Sequence, residues 1–269
     1  MASVTVAASE EQAVVVPRSR EEAISSFGDG RSVTVMGGGT ILMPELTAGR
    51  AQPERVLLLA QAGLDEIHAG DGKLRLGATV RVAQLLDTPE PLASAARGLG
   101  DTEIRAQATI GGNLCAGPGS DFPRGGLQAP LIALAATVRS TGAGGERTDL
   151  VEDFLSGDPT SRLVLEIELD GSRTGAWAAL GRPHSHSYTP LAVAASVASD
   201  GSDLRVAAMG AGPYAVRLRT LESDGLDGDP KRALEDVTLV DDALSSAWYR
   251  EKMLPVLVAR TFTQLKERA

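Results

Sequence analysis

The sequence predicts an α+β fold, in which short strands and helices follow one another along the chain. Residues 163–169 read Leu-Val-Leu-Glu-Ile-Glu-Leu, an alternation that is typical of a strand with one buried face. Ser19 and Glu22 have the spacing of a capping box, which predicts that a helix begins directly after Ser19. Residues 241–265 have a helical pattern, which Pro255 interrupts or kinks.

Composition excludes several classes of function. The 269-residue chain carries a net charge of −9, so its surface repels nucleic acid and anionic membranes, and 3% aromatic residues are too few for a base-stacking platform. The single cysteine, Cys115, excludes a disulfide framework and a cysteine-ligated iron–sulfur cluster within this chain, and three histidines leave little for a zinc site. Because residues 1–12 lack a signal-peptide core and no apolar run has the length of a membrane span, we expect a cytoplasmic protein.

The N-terminal part predicts a small βαβ unit after a loose extension over residues 1–12. Strands are predicted at residues 13–16 and 32–36, with the helix that follows Ser19 between them. Glycines at 28 and 30 end this helix, and the second strand leads into the glycine-rich residues 37–40.

The pattern continues in short elements beyond this unit. The predicted strands are residues 56–60, 74–76, 137–140 and 163–169, and an Ala-rich helix is predicted at residues 92–99. The character of the sequence changes after Gly171, where we place a domain boundary. Of the apolar runs that follow, residues 191–198 are compatible with either a helix or a strand.

Two glycine-rich loops are the most informative part of the sequence. Residues 37–40 (Gly-Gly-Gly-Thr) and residues 109–113 (Thr-Ile-Gly-Gly-Asn) each follow an apolar run. Glycine allows sharp turns and a close approach of ligand to backbone, and successive N–H groups then form a concavity that suits an anion. Two such loops predict a dinucleotide site that holds a pyrophosphate. Neither loop has the Rossmann or P-loop spacing, so the site belongs to a different fold.

At these motifs the sequence resembles the FAD-binding (medium) subunits of molybdenum hydroxylases, which include the flavoprotein of carbon monoxide dehydrogenase and the FAD domain of xanthine dehydrogenase. The resemblance covers roughly residue 14 to the end, and residues 104–115 are its most specific part. The other matching segments are residues 35–44, 76–79 and 209–213, and the pairs Asp241-Asp242 and Tyr249-Arg250.

The resemblance implies a two-subdomain FAD-binding fold of the vanillyl-alcohol oxidase type, followed by a C-terminal α/β flavoprotein domain. The implied organisation is an extension at 1–12, an FAD-binding domain at 13–170 with subdomains near 13–60 and 61–170, and a C-terminal domain at 171–269. FAD would be bound noncovalently, with its pyrophosphate on the backbone of both loops, Asp121 near the cofactor and one strand against the adenine. The implied contact residues are Gly37, Gly38, Gly39, Thr40, Ile41, Thr109, Ile110, Gly111, Gly112, Asn113, Asp121, Leu163 and Val164.

Three further features have more than one interpretation. Cys115 is either a small buried apolar residue, which we favour, or a nucleophile or covalent flavin link. Arg105 either forms a structural salt bridge or approaches the cofactor. Residues 182–188 replace the part of the family pattern where a lysine is common, and their His184 and His186 form either an exposed polar loop or a polar pair beside flavin or substrate.

The resemblance implies an electron-transfer flavoprotein subunit. Substrate would be oxidised on a molybdenum-cofactor subunit, and electrons would pass through an iron–sulfur subunit to FAD on this chain and then to an external acceptor. The alternatives are a stand-alone FAD-dependent oxidoreductase that acts on a small molecule, and a flavin-binding scaffold without turnover. In each case the reactivity is the flavin's, and the protein supplies binding and orientation.

Overall fold

The computed structural model describes residues 13–117, 124–181, 184 and 188–268. The strands are β1 (Val14–Val15), β2 (Val33–Met36), β3 (Arg55–Leu58), β4 (Ile67–Gly70), β5 (Lys73–Gly77), β6 (Thr137–Thr141), β7 (Arg147–Leu150), β8 (Leu163–Asp170), β9 (Thr174–Ala179), β10 (Ala192–Val197), β11 (Arg205–Met209) and β12 (Val216–Arg217). The helices are α1 (Arg20–Phe27), α2 (Leu42–Thr47), α3 (Leu92–Arg97), α4 (Thr102–Gln107), α5 (Ile110–Leu114), α6 (Gln128–Ala133), α7 (Val151–Ser156), α8 (Arg219–Ser223) and α9 (Ala247–Arg268).

The strands of the described residues form three sheets. The first is parallel, with the order β1-β3-β2. The second is antiparallel and has the order β4-β5-β8-β6-β7, and the third is antiparallel with the order β12-β11-β10-β9. The predicted mixture of helices and sheets is therefore confirmed.

The helix that begins after Ser19 is present as α1. The Ser19 Oγ atom accepts a hydrogen bond from the N–H of Glu22 at 3.2 Å, as the capping pattern predicts. The carboxylate of Glu22 accepts from the N–H of Arg18 at 2.7 Å, one residue before the expected partner. The cap thus fixes where the chain turns from β1 into α1.

Residues 191–198, for which the sequence allowed a helix or a strand, form strand β10. All six residues of β10 are buried, because α6 covers one face of the third sheet and α9 covers the other. A strand that is buried on both faces has an apolar residue at every position. Its sequence therefore lacks the alternation of polar and apolar residues that would distinguish it from a buried helix.

The C-terminal helix, α9, begins later in the chain than predicted. It begins at Ala247, because Asp241 Oδ1 accepts from the N–H of Ala247 at 2.6 Å and Asp242 Oδ1 accepts from the N–H of Leu244 at 2.8 Å. These carboxylates give the backbone local partners that compete with a helix. The helix continues through Pro255 and buries a stripe of apolar side chains against the third sheet.

The second and third sheets share one hydrophobic core. Ala194 and Ala207 of the third sheet belong to the same buried cluster as Leu76 and Ile167 of the second. A separate cluster around Phe27 joins α1 and the first sheet to the beginning of β8. Apolar burial therefore holds all three sheets around the region where the two glycine-rich segments meet.

Candidate functional site

A cavity of about 1400 Å³ opens where the three sheets approach one another. Ordinary small-molecule pockets measure roughly 300–1,000 Å³, so this one has room for a ligand as large as a dinucleotide. Both glycine-rich segments contribute to its lining, together with residues 158–164 and side chains from the third sheet.

The two glycine-rich segments touch each other. A Cβ atom on Gly38 would overlap the main-chain carbonyl of Gln107, and a Cβ on Gly37 would lie 2.5 Å from the Thr109 Oγ1 atom. Gly39 has a φ of +72°, a left-handed conformation that favours glycine. Close packing at the first two positions and backbone conformation at the third therefore explain why three glycines follow β2.

The first segment presents unused backbone donors. Residues 37–41 line the cavity, and none of their five N–H groups has a hydrogen-bond acceptor among the residues that the structure describes. The Gly39 carbonyl accepts from the N–H of Met43 at 2.9 Å, which fixes the start of α2. A row of unpaired N–H groups at the wall of a cavity is a site for an anion.

The second segment is a short helix, α5, with Thr109 as its N-cap. The N–H groups of Ile110 and Gly111 donate to the carbonyls of Val80 and Ala78, each at 2.9 Å, and the N–H of Gly112 donates to Thr109 Oγ1 at 3.2 Å. The N–H of Asn113 donates to the Thr109 carbonyl. These three amides thus have partners within the chain, and their use for a ligand stays a prediction.

The side chains of the second segment remain available to a ligand. Asn113 is only 6% exposed and lines the cavity, and its Oδ1 atom accepts from the N–H of Leu127 at 2.7 Å. This bond occupies the oxygen and leaves the NH₂ group as the ligand donor. Thr109 also lines the cavity, and its hydroxyl proton is a second donor.

The remaining predicted contact residues fall into three groups. Leu163 and Val164, at the start of β8, are buried and line the cavity. Ile110 is fully buried in the core behind α5 and does not line the cavity, because the helix turns its side chain inward. Asp121 lies outside the described residues.

Aromatic side chains from the C-terminal part line the cavity and are not recognisable from the sequence. They are Trp177 in β9, Tyr188 before β10, and Tyr214 between β11 and β12. Burial raises the pKa of Tyr214, with smaller contributions from Asp158 and Cys115, so its hydroxyl stays protonated. Large flat rings in such a wall are suited to packing against a planar ligand.

Cys115 lines the cavity at the end of α5. Burial raises the pKa of its thiol to about 12, and Asp158 adds to the effect. A thiol with that pKa is protonated at neutral pH, whereas the thiolate is the nucleophile. The structure therefore favours the interpretation of Cys115 as a packing residue.

Gln128 positions the second segment, and sequence reasoning missed it. Its side chain is 2% exposed, and Nε2 donates to the carbonyls of Leu114 at 2.9 Å and Ala116 at 3.1 Å. Its Oε1 atom accepts from the N–H of Ala215 at 3.0 Å. Gln128 thus joins the end of α5 to the segment that carries Tyr214, and a single glutamine within an apolar run gives no sequence signal for this role.

Two other predicted features have structural roles. Arg105 donates from Nη1 to the carbonyls of Leu99 at 3.1 Å and Gly100 at 3.0 Å and does not line the cavity. Its role is therefore structural, but the predicted salt bridge is wrong, because these partners are carbonyls and not a carboxylate. Arg250 is buried and bonded to Asp242 at 2.6 Å and to the Pro190 carbonyl at 3.3 Å. Of residues 182–188, only His184 and Tyr188 are described, and His184 is exposed.

Residues 8–169 match the family described as FAD binding domain in molybdopterin dehydrogenase. The chain belongs to this family. The match covers more than half of the chain and includes both glycine-rich segments, so the family predicted from those motifs is confirmed. The chain is accordingly an FAD-binding oxidoreductase.

Relatives in this family resemble the chain over nearly its whole length. The nicotine 6-hydroxylase medium subunit of Paenarthrobacter nicotinovorans is 27% identical over 272 residues, which cover 92% of this chain and 95% of the relative. The glyceraldehyde dehydrogenase medium chain of Sulfolobus acidocaldarius is 26% identical over 273 residues, with the same coverage of 92% and 95%.

A solved structure of carbon monoxide dehydrogenase from Hydrogenophaga pseudoflava has the same fold. It superposes with a TM-score of 0.82 at 23% identity, and the match covers 95% of this chain and 97% of that chain.

None of the helices in the described part of this chain is both long and apolar enough to cross a membrane. Within the same residues, no group of three or more His, Cys, Asp or Glu side chains is arranged to hold a metal ion.

Proposed function

We propose that the chain is the electron-transfer flavoprotein subunit of a molybdenum hydroxylase-type complex. FAD in the cavity receives electrons from iron–sulfur clusters on a partner chain and passes them to an external acceptor, while a molybdenum-cofactor subunit oxidises the substrate. The names of the relatives as medium subunits or medium chains support this assignment. The observation that carries it is the row of five unpaired N–H groups at residues 37–41 along a cavity of dinucleotide size.

The residues of the cavity suggest how FAD is held. The N–H groups of residues 37–41 bind the pyrophosphate, with further donors from the Thr109 hydroxyl and the Asn113 side-chain NH₂ group. Leu163 and Val164 pack against the adenine. The rings of Trp177, Tyr188 and Tyr214 lie beside the flavin ring. Asp121 stays a predicted contact from family resemblance. Bound FAD supplies the electron-carrying chemistry, and the chain binds, orients and shields it.

We further propose the two-subdomain organisation of the vanillyl-alcohol oxidase type. The three sheets support it, since β1–β3 fall within residues 13–60, β4–β8 within 61–170 and β9–β12 within 171–269. The cavity takes lining residues from each of these parts. FAD would therefore lie between the two subdomains, under the C-terminal domain.

FAD is held noncovalently in this proposal. Cys115 has a pKa of about 12, so the thiol that faces the cavity is a poor candidate for a covalent link. The purified protein should be yellow, and heat denaturation should release one FAD per chain into the supernatant, as mass spectrometry would show. Release of FMN, or flavin that stays on the denatured chain, would contradict the proposal.

Copurification tests the partner assignment. Expressed at native level with an affinity tag, the chain should bring down one subunit with iron–sulfur clusters and one with molybdenum. Recovery as a single chain with full FAD, and with rapid flavin turnover of a small metabolite, would favour the stand-alone oxidoreductase instead.

A further inference from the structure

The side chain of Tyr214 reaches the chain that follows α5. Residues 115–117 come directly after this helix and line the cavity, and a Cβ atom on Gly117 would lie 3.0 Å from the Tyr214 hydroxyl oxygen. Burial raises the pKa of Tyr214, and Asp158 and Cys115, which also line the cavity, add to the effect. The hydroxyl therefore lies at the C-terminal end of α5.

This hydroxyl is available to a ligand. Tyr214 is half-buried in the cavity wall, and its hydroxyl neither donates nor accepts a hydrogen bond within the part of the chain that the structure describes. Because the raised pKa keeps the phenol protonated at neutral pH, the hydroxyl is a hydrogen-bond donor to the occupant of the cavity.

Gln128 fixes the position of this tyrosine relative to α5. The buried amide donates to the carbonyls of Leu114 and Ala116, and it accepts from the N–H of Ala215, the residue after Tyr214. One side chain thus holds the backbone on both sides of the contact between residues 115–117 and Tyr214.

Tyr214 and the first glycine-rich segment meet opposite ends of α5. At the N-terminal end, the Thr109 hydroxyl lies against Gly37, and at the C-terminal end residues 115–117 lie against Tyr214. A helix of this length spans roughly 8 Å. The ribityl chain of FAD bridges a similar distance between the diphosphate and the flavin ring. With the diphosphate at residues 37–41, the Tyr214 hydroxyl faces the flavin end of the cofactor.

We propose that the Tyr214 hydroxyl, positioned by Gln128, donates a hydrogen bond to the polar edge of the flavin ring and raises the reduction potential of bound FAD. This inference rests on the proposed function, since it assumes that the cavity binds FAD. The reduced ring carries two more electrons and one more proton than the oxidised ring, and therefore an extra negative charge. A hydrogen bond to a charged acceptor is stronger than one to a neutral acceptor, so the hydroxyl stabilises the reduced ring more.

The test is the midpoint potential of bound FAD, measured by dithionite titration of the purified protein against a reference dye. Tyr214→Phe removes the hydroxyl and keeps the ring. It should still bind FAD and should shift the ratio of reduced to oxidised flavin about tenfold towards the oxidised form, or about 30 mV for a two-electron couple. Tyr249 is 42% exposed and does not line the cavity, so Tyr249→Phe is the matched control and should leave the potential unchanged.

Gln128→Met tests the positioning role, because methionine fills a similar volume without the amide. It should lower the potential in the same direction as Tyr214→Phe. The double variant should shift no further than Tyr214→Phe alone, since both changes act through one hydrogen bond. Additive shifts in the double variant would overturn the inference.

The outcomes separate this inference from the proposed function. Wild-type protein that binds no FAD would overturn both. FAD-loaded wild type and FAD-loaded Tyr214→Phe with equal midpoint potentials would overturn the inference alone.

Discussion

Gly38 packs so closely against the second segment that a methyl side chain in its place would collide with the main-chain carbonyl of Gln107. Gly38→Ala should therefore push the two glycine-rich segments apart and lower the FAD occupancy of the purified protein, with an overpacking cost of about 1–3 kcal/mol. Gly70 has open space where a Cβ would be, and its φ is not left-handed, so Gly70→Ala is the control and should keep full occupancy. The ratio of flavin to protein absorbance measures both. Equal occupancy in the two variants would contradict the contact as a requirement for binding.

Cys115 provides a prediction about pH. Its pKa of about 12 lies above that of an ordinary thiol, so the folded state favours the neutral form, and the thiolate forms only as the pH approaches 12. Iodoacetamide should label the native protein far more slowly than the urea-denatured protein at pH 8.5, and Cys115→Ala should retain FAD. Comparable labelling rates in both states, measured by mass spectrometry, would argue against a neutral Cys115 thiol in the folded protein.

At the scale of elements, Thr109 caps α5 and faces the cavity. Thr109→Val should lower the free energy of unfolding by about 1 kcal/mol, as expected for a lost N-cap, and should also weaken FAD binding. Ser19 caps α1 through the Glu22 N–H at 3.2 Å and does not line the cavity, so Ser19→Ala should cost a similar free energy with FAD affinity unchanged. Urea denaturation and flavin titration separate the two effects, and parallel losses of affinity would mean that Thr109 acts through stability alone.

The elements differ in how far the sequence predicts them. Residues 37–41 and the α5 segment are recognisable because neighbouring positions in each require glycine, either for close packing or for a left-handed backbone conformation. These requirements produce a local glycine pattern in the sequence. Trp177, Tyr188 and Tyr214 lie on separate stretches of the C-terminal part and meet only after the third sheet forms, so no local spacing reveals them. The same holds for Gln128, whose partner Ala215 lies 87 residues away in the sequence.

At the scale of the whole molecule, Glu152 links α7, which follows the second sheet's strand β7, to the third sheet by ion pairs. Its Oε1 atom lies 2.8 Å from Nη1 of Arg217 and 3.8 Å from Nη1 of Arg205, and its side chain is 10% exposed. Glu152→Gln should lower the free energy of unfolding by about 1.5–3 kcal/mol, the range for a hydrogen bond to a charged group, because Arg217 loses one of its carboxylates and keeps Glu222, and Arg205 keeps Asp203. Glu146, which pairs with Arg20 at 3.5 Å on the surface, is the control, and Glu146→Gln should cost less than about 1 kcal/mol. Similar costs, measured by chemical denaturation, would contradict the role of Glu152 as the link between the sheets.

The central claim is that FAD on this chain relays electrons from a partner. The most direct measurement is anaerobic stopped-flow absorbance of the flavin, first on the FAD-loaded chain alone and then on the chain with its copurified subunits, with the substrate of the complex. We predict that the isolated chain stays oxidised and that flavin reduction appears when the iron–sulfur and molybdenum subunits are present. Reduction of the isolated chain by the same substrate, at the rate seen in the complex, would contradict the relay.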